Sequence, residues 1–370
     1  MTAPAPSPRP RRRARNFGPG PAYLPTDVVE RLAADLVDYG GSGLGVAEVA
    51  HRGPLFAPVV EALEERLRRL LALPPRYAIL WMHGGASPHF GLVPLNLARR
   101  HRRADYVVTG HWSERAREEA ARLIGEARVV ARVSNPPVTI PPVSAWALDP
   151  GADYVYYTDN ESVDGVEFPE APRVERPLVA DLTANFLSRP VEIARHMLLF
   201  AGAQKNLGIT GLGVVVVDRD ALPEDVPGVP RADVYAAHLA EGSMLNTPNT
   251  VAWYVAALML EWIEKEGGLE ALAARNRRKA DRLYAVLDGS GGFYRNDVAA
   301  SCRSRMNVPF TLAEPALLPD FFREAADAGL HQLDGHRSRG GVRASLYNAQ
   351  PEEAVGELCA FLEEFRRRHG

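Results

Sequence analysis

The sequence predicts an α/β protein, with a large domain on a mainly parallel sheet and a smaller α+β domain towards the C-terminus. Between residues 77 and 218, continuous apolar runs alternate with helical stretches, which is typical of a parallel sheet covered on both faces. After a helical region at about 249–288, the rhythm changes to two strand-like runs among helices. A chain of 370 residues, 46% hydrophobic and 24% charged, can bury one large core and a smaller one.

The individual elements follow from periodicity. Helical spacing of apolar residues predicts two opening helices, at 26–40, from a Thr N-cap to a Gly stop, and at 58–73. Short apolar runs predict the strands of the large sheet, at 77–82, 105–109, 127–133, 153–158, 177–181, 197–202 and 213–218. The final third is predicted to hold strands at 304–312 and 341–348 and helices at 314–328 and 351–368.

These elements divide the chain into three predicted segments. Residues 1–15 combine Pro and Arg without apolar periodicity, which predicts a disordered basic tail. Residues 16–265 form the predicted large domain, and its N-terminal segment is expected to pack partly with the small domain. Residues 266–370 form the predicted small domain.

Composition argues against several classes of partner. The net charge of -3 gives no overall attraction to nucleic acid or anionic lipid. Cys302 and Cys359 are too few for a disulfide framework, and no apolar run is long enough to cross a membrane. We therefore expect a cytoplasmic protein that binds neither nucleic acid nor membrane, and we predict no metal site.

The use of lysine is unusual in this chain. Only three of the 43 Lys and Arg residues are lysines: Lys205, Lys265 and Lys279. An amine can lose its proton and attack a carbonyl, whereas a guanidinium cannot. Lys265 and Lys279 lie in charged helical stretches and are predicted to be ordinary surface residues. Lys205 lies between two apolar strands and among glycines, which marks it as a candidate nucleophile.

Ligands of open α/β sheets bind beyond the carboxyl ends of the strands, so the residues that follow each strand are candidates. Gly84 and Gly85 precede Ala86 and Ser87 at a predicted helix start, which is a possible phosphate cradle, although such turns are common. Trp112 follows the next strand, where it is either a core residue or a platform for a flat cofactor. The polar loop at 160–162 ends in Ser162 and either contacts a ligand or only caps a strand.

The most specific pattern joins two strand ends. The run at 177–181 ends on Asp181, and a buried carboxylate there needs a cationic or N–H partner. A protonated pyridine nitrogen is such a partner. Gln204 and Lys205 follow the next strand. A strand-end Asp and then a Lys after the next strand is the order found in a pyridoxal-phosphate site of the aspartate aminotransferase fold.

Two arginine-containing segments suggest a substrate with more than one anionic group, because guanidinium groups bind carboxylate and phosphate oxygens bidentately. The alternative is that these are solvated arginines; it is strongest for Arg339 and weaker for Arg337 and Arg343, which we expect glycines and small residues to enclose. The candidate residues of the two segments are His51, Arg52, His336, Arg337 and Arg343.

The motifs along the chain resemble those of the phosphoserine aminotransferase family, class V transaminases of fold type I. NFGPGPAYLP (16–25), AHRG, HGGAS, ADYVVTGHWS, NESVDGVEF, AGAQKN, SRMNVPF, GHRSRGG and RASLYNA occur in the family's order and span nearly the whole chain after the tail.

The resemblance implies a role for each candidate. Lys205 would form the Schiff base with pyridoxal phosphate, Trp112 would stack on its ring, and Asp181 would pair with its nitrogen. Gln204 and Ser162 would contact the ring substituents and phosphate. Further implied phosphate contacts are Ala86 and Ser87 from the same chain, and Asn246 and Thr247 from the other subunit of a homodimer. The implied substrate-binding residues are His51, Arg52, His336, Arg337 and Arg343.

The implied reaction is a two-stage exchange of an amino group between glutamate and 3-phosphohydroxypyruvate, which yields O-phosphoserine and 2-oxoglutarate in serine biosynthesis. The chain departs from the family pattern at 208–211, Asn249 and Pro19, and no departure removes a catalytic group. The departures leave open another phosphorylated or phosphonate 2-oxo acid in secondary metabolism. A desulfurase or lyase would need a cysteine on a mobile loop, and a non-enzymatic protein would leave the Asp181 and Lys205 pattern unexplained.

Overall fold

The computed structural model describes residues 13–134 and 136–370. Within these residues the α-helices, in chain order, are α1 (Thr26–Asp35), α2 (Ala57–Leu70), α3 (His89–Leu97), α4 (His111–Leu123), α5 (Tyr235–Ala240), α6 (Thr250–Lys265), α7 (Gly268–Asp288), α8 (Leu318–Asp327) and α9 (Glu352–His369). The strands are β1 (Arg15–Asn16), β2 (Tyr77–His83), β3 (Arg103–Val108), β4 (Glu126–Arg132), β5 (Tyr154–Thr158), β6 (Asn160–Glu161), β7 (Val166–Glu167), β8 (Leu178–Asp181), β9 (His196–Gly202), β10 (Leu212–Asp218), β11 (Tyr294–Arg295), β12 (Asn307–Leu312), β13 (Leu330–His331) and β14 (Val342–Ser345).

A seven-stranded sheet organises the larger part of the molecule. Its strand order is β2-β10-β9-β8-β5-β3-β4, and only β10 runs antiparallel to its neighbours. The predicted mainly parallel sheet is therefore confirmed, and the bounds of each strand predicted for it lie within two residues of the observed bounds. The strands predicted at 304–312 and 341–348 are shorter, at Asn307–Leu312 and Val342–Ser345. The carboxyl ends of β3, β5, β8 and β9 meet at one edge of the sheet, since these strands are parallel.

Both faces of this sheet are covered. Along β10, Val214 and Val216 join a hydrophobic cluster with residues of α2 and α6, whereas Val215 and Val217 join a second cluster with residues of α3 and α4. Alternate residues of a strand point to opposite faces, so a run of valines suits a strand with both faces buried. This explains why the sequence shows continuous apolar runs instead of an alternating pattern.

A second sheet and core lie in the C-terminal third. The antiparallel sheet has the order β11-β12-β14, and its hydrophobic cluster includes residues of α7, α8 and α9. Phe17 enters the same cluster, and β1 pairs with β13. The N-terminal segment thus packs against this part of the chain. The predicted division between residues 265 and 266 coincides with the end of α6 and remains a prediction.

Three expectations need correction. The first helix ends at Asp35 and not at residue 40, and its N-cap is Pro25, which makes no side-chain cap. Residues 1–12 of the predicted tail lie outside the described residues, but Arg15 belongs to β1 and donates two hydrogen bonds to Glu357, so the predicted boundary lies too far along the chain.

The third correction concerns Lys279, which is not a surface residue. It is 1% exposed on α7, and its Nζ donates hydrogen bonds to three backbone carbonyl oxygens. The apolar periodicity of α7 places Lys279 on the buried face of the helix. The sequence-based expectation was wrong because it gave more weight to the charge of the lysine than to this periodicity. Lys265 does lie at the surface, paired with Glu261. Among the helices described, none combines the length and apolar character that crossing a membrane requires.

Candidate active site

A cavity of about 300 Å³ lies at the carboxyl ends of the parallel strands. It gathers most of the side chains singled out from the sequence: Ala86, Ser87, Trp112, Ser162, Asp181, Gln204, Lys205, His336 and Arg343. A more open groove of about 540 Å³ lies beside α7, but two of its arginines are already paired, Arg303 with Asp288 and Arg305 with Glu167. The smaller cavity therefore holds the candidate chemistry.

The loop between β2 and α3 forms one wall of the cavity. Gly84 and Gly85 have φ angles of +89° and +74°, in the left-handed region that side chains disfavour. At Gly202, on the facing strand, a Cβ would lie 3.1 Å from the backbone nitrogen of Ala86. These glycines allow the loop to approach β9 closely and to present Ala86 and Ser87 at the start of α3, where N–H groups and the helix dipole favour an anion.

Trp112 lies in the first turn of α4 and lines the cavity, so it is not solely a core residue. Its Nε1 donates to Ser162 Oγ at 3.0 Å. The same oxygen accepts a hydrogen bond from Lys205 Nζ at 3.1 Å. Ser162 therefore links the aromatic ring to the candidate nucleophile.

Asp181 is the last residue of β8 and is 4% exposed. Its Oδ1 accepts a hydrogen bond from the backbone N–H of Thr183 at 2.8 Å. Burial raises the pKa of Asp181, and the hydrogen bonds of Thr183 and the charge of Lys205 only partly offset this effect. A cationic group on a ligand in the cavity would keep this carboxylate ionised.

Lys205 follows β9 and is 8% exposed. Its Nζ lies 5.9 Å from the centroid of the Tyr347 ring. The next residue, Asn206, is fixed on both sides: its Nδ2 donates to Ala184 O, and its Oδ1 accepts from the backbone N–H of Asn348. The loop that carries the lysine is therefore held by two other segments of the chain.

Arg343 and His336 bring positive charge or proton donors to the other side of the cavity. Arg343, on β14, is 5% exposed and donates from Nη1 to Ser162 O at 3.0 Å. Its Nε is buried without a hydrogen-bond partner among the described residues, and desolvation lowers its pKa. Burial, followed by the charges of His111 and Arg343, also lowers the pKa of His336. A bound anion would compensate both groups.

The remaining candidates lie outside this cavity. Arg337 is exposed, and the expectation that glycines and small residues enclose it is wrong. Asn246 and Thr247 are exposed on the loop before α6. Arg52 is also exposed, His51 is half-buried, and Arg52 Nη2 donates to Met244 O at 2.5 Å. This hydrogen bond joins the 50–53 and 244–247 loops, whose candidate residues do not line the cavity.

Sequence reasoning gave no role to several residues that support the site. Glu161 is fully buried and accepts hydrogen bonds from the backbone N–H groups of Trp112 and Ser113 and from Ser113 Oγ. It therefore holds the first turn of α4, which carries Trp112. Thr183 and Tyr347 were also missed. An Asp followed two residues later by Thr suggests a local turn, but nothing near Tyr347 in sequence points to Lys205.

Comparison with known proteins places this geometry in a family. The family model described as aminotransferase class-V matches residues 15–358. A phosphoserine aminotransferase of Laribacter hongkongensis is 48% identical over 96% of this chain and 99% of its own length. One from Xanthomonas euvesicatoria is 46% identical, with the same coverage.

Solved structures agree. The pyridoxal-phosphate-bound phosphoserine aminotransferase of Trichomonas vaginalis has a TM-score of 0.90 and 38% identity, over 95% of this chain and 100% of that one. The phosphoserine aminotransferase of Bacillus circulans has a TM-score of 0.91 and 38% identity, over 97% of this chain and 99% of that one. The resemblance inferred from the motifs is confirmed, and the chain belongs to the phosphoserine aminotransferase family of class V aminotransferases.

Proposed function

We propose that this chain uses pyridoxal phosphate to transfer the amino group of glutamate to 3-phosphohydroxypyruvate, giving O-phosphoserine and 2-oxoglutarate for serine biosynthesis. The observation that carries the proposal is that Asp181, Lys205 and Trp112 share one cavity with the buried Arg343. The activity named for relatives at 46% and 48% identity supports it, as does the cofactor named for the Trichomonas vaginalis structure.

The residues present fit pyridoxal phosphate. Trp112 offers a flat ring, Asp181 a carboxylate for the pyridine nitrogen, and Lys205 an amine for the aldehyde. The loop at 84–87 offers backbone N–H groups and the hydroxyl of Ser87 for the phosphate, and Gln204 and Ser162 are close to the same space. When bound, this cofactor supplies an electron sink for the charge that develops on the substrate α-carbon.

The chain's own side chains have separate tasks in this proposal. Lys205 Nζ would take the proton from the α-carbon of the amino donor as a general base and deliver it to the cofactor carbon that Lys205 had bound, and the same transfer would run in reverse for the acceptor. Ser162 Oγ, 3.1 Å from that nitrogen, orients it. Asp181 would hold a proton on the pyridine nitrogen, because a buried carboxylate beside a cation is favoured over a buried carboxylate alone. The enclosed cavity limits access of water to these groups.

Substrate recognition divides between buried and exposed residues. Arg343 is the proposed partner of the substrate carboxylate, because it is buried in the cavity and Ser162 O fixes its guanidinium. His336, Arg337, His51 and Arg52 are the proposed partners of the acceptor's phosphate. A phosphate carries nearly two charges, and a second group of cations suits it better than a single arginine does.

The exposed loops are proposed to complete the site of a partner subunit in a homodimer. The proposed location of this enzyme is the cytoplasm. Large apolar side chains lie exposed in the segment from residue 36 to residue 55, which includes the 50–53 loop: Leu36, Val37, Leu44 and Leu55. Val37 is 78% exposed, and exposed apolar surface on a folded chain commonly marks an interaction site. If this segment binds a second copy, His51, Arg52, Asn246 and Thr247 can reach the partner's cavity.

The decisive experiment measures both half-reactions. Glutamate alone should convert the bound cofactor to its amino form, and 3-phosphohydroxypyruvate should restore it. Pyruvate and hydroxypyruvate serve as unphosphorylated acceptors, and a phosphonate analogue of the acceptor tests the alternative substrate class. A preference for the phosphonate, or equal rates with and without phosphate, would contradict the proposed acceptor while leaving the transaminase assignment intact.

A further inference from the structure

Lys279 is a buried cation that the proposed reaction does not use. It lies on the inner face of α7, and its Nζ donates to the carbonyl oxygens of Leu346 and Tyr347 at 2.8 Å and of Gln350 at 3.2 Å. Lysines are almost never fully buried unless their charge is compensated. Here all three N–H donors of the ammonium group are used on one short segment, residues 346–350.

This arrangement explains why an Arg-rich chain has a lysine at this position. Three carbonyl oxygens converge on a single nitrogen, which a tetrahedral ammonium group can satisfy. A guanidinium presents its donors in a flat fork and is larger, so it cannot bind the same three oxygens from one point. Burial lowers the pKa of Lys279, and the nearby Glu352 opposes that effect. The three carbonyl contacts favour the charged form.

The 346–350 segment contacts the active site in two places. The ring of Tyr347 faces Lys205 Nζ, and its hydroxyl donates to Pro19 O at 2.9 Å, on the cavity wall. Asn348 donates from its backbone N–H to Asn206 Oδ1 at 2.9 Å, directly after Lys205. The segment therefore fixes both the environment of the Lys205 amine and the loop that carries it.

A second residue of α7 holds the same segment. Asn276, one turn before Lys279, donates from Nδ2 to Asn348 Oδ1 at 2.8 Å and to Ser188 O at 3.2 Å. Asn348 Nδ2 in turn donates to Leu187 O. Asn276, Asn348 and Asn206 are each at most 2% exposed. A buried and connected polar network of this kind connects α7 to the catalytic loop.

We propose that Lys279 is a positioning residue for the reaction: through the carbonyl groups of residues 346–350 it holds Tyr347 and Asn348 against the loop that carries Lys205. This inference rests on the proposed role of Lys205. It assigns to α7, which does not line the cavity, control over the position of the reactive amine.

The test replaces Lys279 with methionine, which is of similar length and cannot donate, and compares it with Lys265→Met. Lys265 is exposed and ends the neighbouring helix α6, so it is a matched control. For Lys279→Met we expect kcat to fall roughly tenfold to a hundredfold, because small misplacements of reacting groups have effects of this size. Both KM values should change little, since no substrate-binding residue is altered. Lys265→Met should resemble the parent enzyme.

A spectroscopic measurement separates positioning from a loss of stability. The visible circular dichroism of an enzyme-bound cofactor depends on how the protein orients its ring. Displacement of Tyr347 and of the loop that carries Lys205 should therefore change this signal relative to the parent at equal cofactor occupancy. A folded Lys279→Met enzyme with the parent's kcat and the parent's dichroism would overturn the inference, even if its melting temperature were lower.

If Lys279→Met does not fold, Asn276→Ala gives the answer. It removes one hydrogen bond from the same helix to the same segment and keeps the three contacts of Lys279, so a smaller change in the same direction is expected. A parent-like dichroism and kcat in this variant would count against the inference. The two proposals fail in different ways: absence of transamination by the parent enzyme contradicts the proposed function, whereas an unchanged dichroism in the variants contradicts only the role of Lys279.

Discussion

The cavity and the 50–53 and 244–247 loops differ in how completely one chain determines them. Lys205, Asp181 and Arg343 are each at most 8% exposed, and each has hydrogen bonds to neighbouring segments. Asn246, Thr247 and Arg52 are exposed, and they do not line the cavity that holds Lys205. Lys205, Asp181 and Arg343 thus come together within one chain, whereas the phosphate-binding half of the site is proposed to need a second.

This difference has an energetic basis. Charged groups inside a fold cost stability unless they are paired, so their positions are strongly constrained. Exposed arginines are solvated at little cost, and a fold can present them to a partner without defining their final contacts. The comparison predicts that changes in the cavity abolish chemistry at the site of the same chain, whereas changes in the loops act on the site of the partner subunit.

The largest expected effect is that of Lys205→Ala. The variant should complete no turnover, because it lacks the amine that is proposed to bind the cofactor and move the proton. It should still bind pyridoxal phosphate through Trp112, Asp181 and the phosphate loop. In the parent enzyme, borohydride reduction followed by peptide mapping should find the cofactor on Lys205. Label on Lys265 or Lys279 would disprove the assignment, and Lys265→Ala is the control.

Asp181→Asn should lower kcat by about a hundredfold to a thousandfold, the typical loss when a preorganised electrostatic group is removed. Asp218→Asn is a matched control, because Asp218 also ends a strand. Its neighbour across the sheet is Tyr77, the first residue of β2, so Asp218 lies at the opposite edge of the sheet from the cavity. Steady-state kinetics of both variants test this contrast. A near-normal rate in Asp181→Asn would mean that another group holds the pyridine nitrogen.

Asp181→Asn should lower the rate but raise the stability of the cofactor-free protein. An acid whose pKa is raised on folding destabilises the folded state above its unfolded pKa, and burial raises the pKa of Asp181. The cofactor-free Asp181→Asn protein should therefore unfold at a higher temperature than the cofactor-free parent at pH 7, and the difference should shrink as the pH falls to about 4. Thermal unfolding at both pH values measures this, and a lower melting temperature at pH 7 would contradict it.

The contrast also explains what the sequence could predict. The strands, the carboxyl-end location of the site and the presence of Asp181 and Lys205 in one cavity follow from local runs and their order. Contacts between distant segments could not be predicted in this way. Nothing near Lys279 in sequence indicates that it reaches residues 346–350, and nothing near Tyr347 indicates that it reaches Lys205. The exposed position of Arg337 was missed because flanking glycines indicate small neighbours but not burial.

Arg337→Ala tests the phosphate-binding half. A charge-assisted hydrogen bond contributes roughly 1.5–3 kcal/mol, so kcat/KM for the phosphorylated acceptor should fall about tenfold to a hundredfold or more. The value for hydroxypyruvate should barely change. Arg339→Ala is the control on the same loop: it pairs with Asp164 at 2.7 Å at the surface, and losing it should cost less than about fivefold. An equal loss on both acceptors in Arg337→Ala would exclude a phosphate pocket at this residue.

The smallest effect, and the one that tests the comparison most directly, is a partial recovery of activity in mixed dimers. Lys205→Ala lacks the amine, and Thr247→Glu places a negative charge where the partner's cofactor phosphate is proposed to bind; each alone should be inactive. After unfolding and refolding together, half of the dimers should be mixed. One site in each mixed dimer would then combine an intact Lys205 with an intact Thr247, so about a quarter of the parent activity should return. Each variant refolded alone is the control for spontaneous recovery. If the refolded mixture contains mixed dimers and remains inactive, Thr247 does not act across the subunit boundary, and the exposed loops would need a function other than completing a partner's site.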